Sequence, residues 1–369
     1  MELTNNTTAV SNPTNLANMS TADDWMIERD EFWKRLDFVQ QLLTILIAVF
    51  TILGNSLVIF VTWKEKCLHQ PNKYFIVLLA VADLLVGLFV APFLAYQLGV
   101  EFERSESSMS VHLCRFMLWI DTFALTTSIY SLTFISFDRY LKISGPLLYK
   151  SRMTTSRSTR IISVIVLISA AFASYSATPQ SRSYGIMDTG SGSCNLHTDF
   201  EKSATYYLML TIIAFFLPAV VILIMYAFIF LVAHKRNKRL ERGELGQTVI
   251  NHRQRNALRR DMKVIKMLLV VVGSFIFCWG PWFTWTLMFY YYPNIVEWDS
   301  TSLSYWSRLI IFVFIASTLP LFNSLCNPII YVCLDETYRE AFRQLFRRQD
   351  GRRQQPSTEM RSSTSTTTI

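Results

Sequence analysis

Apolar residues in this chain gather into long blocks separated by short polar stretches, instead of recurring on one helical face or at alternate positions. An α-helix rises about 1.5 Å per residue, so about 20 apolar residues cross a hydrocarbon layer about 30 Å thick. Seven blocks reach that length: Phe38–Trp63, Tyr74–Tyr96, Val111–Leu141, Ile161–Thr178, Tyr206–Val232, Val264–Tyr291 and Leu309–Leu334. The pattern predicts an all-α membrane protein, a seven-transmembrane helix bundle over residues 38–334, preceded by a polar segment over 1–37. After the bundle, Tyr338, Phe342, Leu345 and Phe346 recur at helical spacing among Arg339, Arg343, Arg347 and Arg348. That predicts a short amphipathic eighth helix over 335–348, lying in the membrane interface. The stretch 349–369 reads as a disordered tail by composition. No internal repeat is evident, which argues against a repeat-built transporter.

Composition agrees with lipid as a solvent. Hydrophobic residues make up 51% of the chain and charged residues 17%, against about 25% charged in ordinary soluble domains. The net charge of +8 raises nucleic acid as a partner, but the basic residues flank the apolar blocks, as they do on the cytoplasmic side of membrane proteins. Lys64 and Lys66 follow the first block, and Lys142, Lys150, Arg152, Arg157 and Arg160 follow the third. The segment from His234 to Arg260, read as the third inner loop, is strongly basic. The opposite loops carry Glu101, Glu103, Glu106, Asp188, Asp199, Glu201, Glu297 and Asp299. An odd number of spans then puts the amino terminus outside and the carboxyl terminus inside. Asn5, Asn6 and Asn18 head glycosylation sequons, usable only outside. The segment before the first block lacks the apolar core of a cleavable signal peptide, so the first span is expected to do the targeting.

Ionisable groups at membrane depth are costly and need a reason. Asp83 sits midway along the second span, Asp121 in the outer half of the third, and Asp138-Arg139-Tyr140 at the inner end of that same span. A buried aspartate can be a structural hydrogen-bonding group between helices, or it can hold a cation. From Asp121 to Arg139 is 18 positions, five helical turns, or roughly 27 Å. Both side chains therefore face one way, one near each membrane surface. Cys114 lies about two turns outward of Asp121, within reach of Cys194 in the second outer loop, where the environment is oxidising. With only six cysteines and no C-x-x-C pair, a zinc or redox motif has no support. An enzyme reading lacks a nucleophile–base pair.

More specific patterns sit on these spans. The first carries Gly54-Asn55-Ser56-Leu57-Val58, the second Leu79-Ala80-Val81-Ala82-Asp83, and the third Cys114 and Asp138-Arg139-Tyr140. The fifth has Pro218 followed by Tyr226, and the sixth Phe275 and Cys278-Trp279-Gly280-Pro281. The seventh has Asn323-Ser324 and Asn327-Pro328-Ile329-Ile330-Tyr331. In order and on their spans, these resemble the rhodopsin-like (class A) G-protein-coupled receptors over about residues 38–348.

The resemblance implies roles residue by residue. Asp83, Ser128, Asn323, Ser324 and Asn327 match the pocket that holds an allosteric sodium ion, and oxygen donors suit such a hard cation; a water-filled polar network is the structural alternative. No organic cofactor is implied. Ile129, Pro218 and Phe275 match the triad that repacks on activation. Trp279 and Pro281 match the kinked helix under the ligand, and Pro328 and Tyr331 its counterpart on the seventh span. Arg139 is expected to pair with Asp261 at the inner end of the sixth span.

Asp121 matches the carboxylate that anchors the amine in aminergic receptors, where a charge-assisted hydrogen bond forms in a partly dry pocket. The same resemblance places Thr122, Leu125, Thr211, Ala214, Trp279, Trp282, Phe283, Thr286, Ser317 and Leu321 around the ligand. Phe322-Asn323-Ser324 and Phe137-Asp138-Arg139-Tyr140 are most similar to the histamine and muscarinic branches. Departures follow. Leu210, Thr211 and Ala214 stand where catechol and indole receptors carry serines. Leu321, Thr318 and Pro320 replace the usual seventh-span tyrosine and its neighbours. Leu321 also argues against an opsin, which needs a lysine there. A peptide-type or orphan class A receptor with a different ligand stays open as the alternative; a channel or transporter using Asp83 and Asp121 as an ion path is argued against by the lack of repeats and by Asp138-Arg139-Tyr140.

The implied setting is the plasma membrane. The implied partners are an extracellular small amine, a heterotrimeric G protein, an arrestin and a receptor kinase acting on the Ser357–Thr368 cluster. Thr367-Thr368-Ile369 also has the form of a PDZ ligand. Nucleic acid is not among the expected partners.

Overall fold

The computed structural model describes residues 13–65, 68, 73–102, 110–145, 149, 151, 153–178, 200–241, 248–297, 300 and 302–353. Ten α-helices are described: α1 (Pro13–Lys64), α2 (Lys73–Leu85), α3 (Ala91–Phe102), α4 (Val111–Ser144), α5 (Thr155–Ala177), α6 (Phe200–Leu210), α7 (Leu217–Glu241), α8 (Thr248–Tyr291), α9 (Leu303–Leu334) and α10 (Glu336–Arg353). Seven spans long and apolar enough to cross a membrane result, since α2 with α3, and α6 with α7, each form one span.

Each of those two spans is joined through a wide π turn, Val86–Val90 and Thr211–Phe216. Proline explains both. Pro92 and Pro218 have no N–H to give the carbonyls of Leu88 and Ala214, so the regular i→i−4 ladder is interrupted where each helix widens. Pro281 lies within α8, and Pro320 and Pro328 within α9.

The third span is the most buried of the seven. Around it, Ile129, Leu132, Ile222, Leu268, Phe275 and Tyr331 form one core. The outward faces are large and apolar: Leu53, Leu167, Phe230 and Phe277 are each at least 60% exposed, as side chains solvated by lipid would be. The first and seventh spans touch closely. A Cβ on Gly54 would sit 3.0 Å from the Pro328 ring, and the Asn55 amide donates to the Ser324 carbonyl at 3.1 Å.

The structure extends several expected elements. The first span continues outward of Phe38, because Phe32 and Leu36 pack with Trp285, Trp306 and Ile310. The basic segment read as the third inner loop is helical up to Glu241 and again from Thr248. Neither stretch contains an interior helix breaker, and Lys, Arg and Glu favour helix. The eighth helix runs to Arg353. Asn5, Asn6, the side chain of Asn18, Cys194, the Ser357–Thr368 cluster and the carboxyl-terminal tripeptide lie outside the described residues.

Candidate functional site

A cavity of about 130 Å³ opens between the outer halves of the second, third, fifth, sixth and seventh spans. Asp121 projects into it from α4 and makes no hydrogen bond or ion pair among the described residues. No Lys, Arg or His stands among the residues of the wall. Of the residues expected to surround a ligand, Asp121, Leu125, Trp279, Trp282, Ser317 and Leu321 line the cavity. The others stand behind it. Thr122 meets the Tyr206 hydroxyl at 2.6 Å, and Thr211 bonds back to the Tyr207 carbonyl at 2.7 Å. Ala214 is fully buried, Phe283 stacks on Trp279 at 5.6 Å, and Thr286 donates to the Trp282 carbonyl at 2.9 Å.

The fifth span instead presents Tyr206, Tyr207 and Leu210. Counting back from Pro218 along a regular helix points positions 211 and 214 inward. The wide turn at Thr211–Phe216 inserts extra backbone and rotates the outer half. Val90, which ends the turn at Val86–Val90, and Phe93, Leu94 and Gln97 beyond it are likewise on the cavity wall, none of them expected there.

Below lies a chamber of about 30 Å³, which Asp83, Ser128, Asn323 and Ser324 line together with Asp121, Trp279, Pro320 and Leu321. Asn327 stands beside it, its amide donating to Asp83 Oδ2 at 2.7 Å. A chamber of this size accommodates one water or one small ion. Its carboxylate, hydroxyl and amide oxygens fit a hard cation such as sodium.

Trp279 forms a wall of both spaces, and its indole N–H has no hydrogen-bond partner among the described residues. Beneath it Phe275 packs on Phe215 at 5.9 Å, with Ile129 fully buried and Pro218 buried in the same region. Tyr331 is buried, its hydroxyl unpartnered among the described residues and its ring stacked on Tyr338 at 5.8 Å. Tyr226 accepts from Ser136 at 3.4 Å.

At the inner end, Arg139 pairs with Asp138 at 3.2 Å, and the Tyr149 hydroxyl donates to Asp138 at 2.7 Å. Burial and the neighbouring Asp138 charge hold the Tyr149 phenol well above its usual range. Tyr140 faces Phe228 at 6.3 Å. The side chain of Asp261, the expected partner of Arg139, lies outside the described residues. Cys114 is disulfide-bonded, and its partner lies outside them too.

A second inner cluster carries no signal in the sequence beyond a basic residue at a span end. Lys73 Nζ lies 2.7 Å from Asp335 Oδ2, with both side chains under 10% exposed, and 4.5 Å above the Tyr338 ring. Asp335 also accepts the backbone N–H groups of Thr337 and Tyr338, capping the eighth helix. The Tyr338 hydroxyl meets Thr62 at 2.8 Å. Burial pushes the Asp335 carboxyl upward, but the Lys73 ammonium and these hydrogen bonds together hold it below the usual carboxylate range.

Residues 54–331 match the seven-transmembrane receptor (rhodopsin family) profile. The chain is 31% identical over 309 residues to trace amine-associated receptor 5 of Rattus norvegicus, covering 82% of each sequence. It is 30% identical over 317 residues to adenosine receptor A2b of Gallus gallus, covering 82% of this chain and 86% of that one. It is 29% identical over 331 residues to the alpha-1A adrenergic receptor of Oryzias latipes, covering 80% of this chain and 64% of the relative.

Proposed function

The chain belongs to the rhodopsin family of seven-transmembrane receptors, and from that premise we propose that it senses a small extracellular amine and passes the signal to a heterotrimeric G protein. The observation that carries this reading is Asp121, a carboxylate on the cavity wall with no basic side chain beside it. A protonated amine supplies the missing counter-charge, and a charge-assisted hydrogen bond in a partly dry site is among the strongest available. Trp279 and Trp282, on the same wall, offer aromatic faces to the cation. Two relatives, named for trace amines and for adrenergic ligands, favour the same chemistry.

The relative named for adenosine supports a second reading, a neutral nucleoside-like ligand. A neutral ligand would leave Asp121 uncompensated, which ranks this reading below the first. In either case Asp83, Ser128, Asn323 and Ser324 would hold a sodium ion, with Asn327 orienting the carboxylate. The basic inner face, beside Arg139, would meet the G protein and anionic lipid, with the amino terminus outside. A panel of biogenic amines and adenosine on cells expressing the full chain tests the proposal. An amine response lost in both Asp121→Ala and Asp121→Asn supports it. A response to adenosine alone, or one indifferent to both substitutions, refutes it.

A further inference from the structure

The first span does not line the ligand cavity, yet one of its side chains acts on the wall. Gln40 is buried, and its amide donates to Ser317 Oγ at 2.9 Å. Ser317 lines the cavity together with Asp121. Its own proton goes to the Phe314 carbonyl at 3.2 Å. With the proton committed there and one lone pair taken by Gln40, the hydroxyl has a single lone pair left, so Ser317 can serve the cavity only as an acceptor.

On the same wall the indoles of Trp279 and Trp282 only donate, whereas the Asp121 carboxylate and the Ser317 hydroxyl accept. Asp121 and Ser317 therefore make a donor-seeking pair. A primary ammonium brings three N–H donors, enough for both; a dimethylated one brings a single donor, which Asp121 takes.

We propose that Gln40 is a positioning residue of the ligand site: by fixing the rotamer in which the Ser317 hydroxyl lines the Asp121 cavity with a lone pair free, it makes the receptor prefer primary amines to their N-methylated forms. The inference rests on the amine reading. Its test is binding of 2-phenylethylamine, N-methyl-2-phenylethylamine and N,N-dimethyl-2-phenylethylamine to the purified full chain. Wild type should favour the primary over the dimethylated amine by about tenfold, the value of one hydrogen bond to a charged donor. Gln40→Met and Ser317→Ala should each flatten that ranking to about twofold, and the double variant should flatten it no further. Gln40→Leu repeats the test should Gln40→Met fail to fold.

A merely structural Gln40 would weaken all three probes alike and leave the ranking unchanged, which overturns the proposal. A flat ranking in wild type overturns it as well. In both cases the amine reading stands as long as Asp121→Asn abolishes binding. Failure of all three probes to bind a wild type that responds to another amine overturns this inference alone, and a wild type that responds to no amine of the panel refutes the amine reading with it.

Discussion

The Asn327 amide nitrogen lies 2.7 Å from Asp83 Oδ2, joining the second span to the seventh midway through the membrane. The bond fixes one carboxylate oxygen and leaves the carboxylate on the wall of the small chamber beneath the ligand cavity. If sodium is held there, ligand linkage requires that it stabilise the receptor, by about 1.4 kcal/mol at ten times its Kd. Thermal unfolding in detergent should shift upward in sodium chloride relative to choline chloride. Asp83→Asn should abolish the difference. Equal stability in both salts would contradict the sodium assignment.

At the junction of the seventh and eighth helices, Lys73 and Asp335 form a buried ion pair that a single substitution leaves half-complete. An unpaired buried charge costs about 3–5 kcal/mol. Lys73→Met and Asp335→Asn should each lower the unfolding midpoint, and the double variant should recover part of the loss. Because the Asp335 carboxyl is held below its usual range, folding favours its ionised form. Its contribution is then fully present above the unfolded pKa of about 3.9 and is lost as pH falls through the lower folded value. The stability gap between wild type and Asp335→Asn should stay constant from about pH 8 to 5 and close only below about pH 4. A gap that closes between pH 7 and 5 would point to another group.

Arg139 is tethered on its own helix by Asp138, which Tyr149 holds in turn. Removing an acid near Arg139 should free it to act on the inner face. Asp138→Asn and Asp261→Ala should each raise ligand-free signalling at matched surface expression. Exposed ion pairs contribute at most about 1 kcal/mol, so the rise for Asp261→Ala should not exceed about fivefold. Unchanged output in Asp261→Ala would show that this acid does not restrain the sixth helix.

The spans and their central acids were legible because lipid imposes a one-dimensional rule: long apolar runs, with each buried charge standing out against them. Asp83 and Asp121 could be read from that contrast alone, and the structure puts both on cavity walls. The fifth-span wall could not be read in this way. The resemblance singles out Leu210, Thr211 and Ala214 there; beside the wide turn only Leu210 of these reaches the wall, joined by Tyr206 and Tyr207, which carried no signal. Lys73 reads as one more basic residue at an inner span end; only the fold shows it buried against Asp335. Gln40 carried no signal, since its partner Ser317 lies 277 positions away.

The central claim is that Asp121 is the counter-ion of the ligand's ammonium. The most direct measurement is the Kd of one activating amine for wild type and for Asp121→Asn, at one pH and in one salt. Removing the charge from a close charged pair should weaken binding by about 100-fold, with folding and unfolding midpoints otherwise preserved. Affinities equal within about twofold would contradict the account.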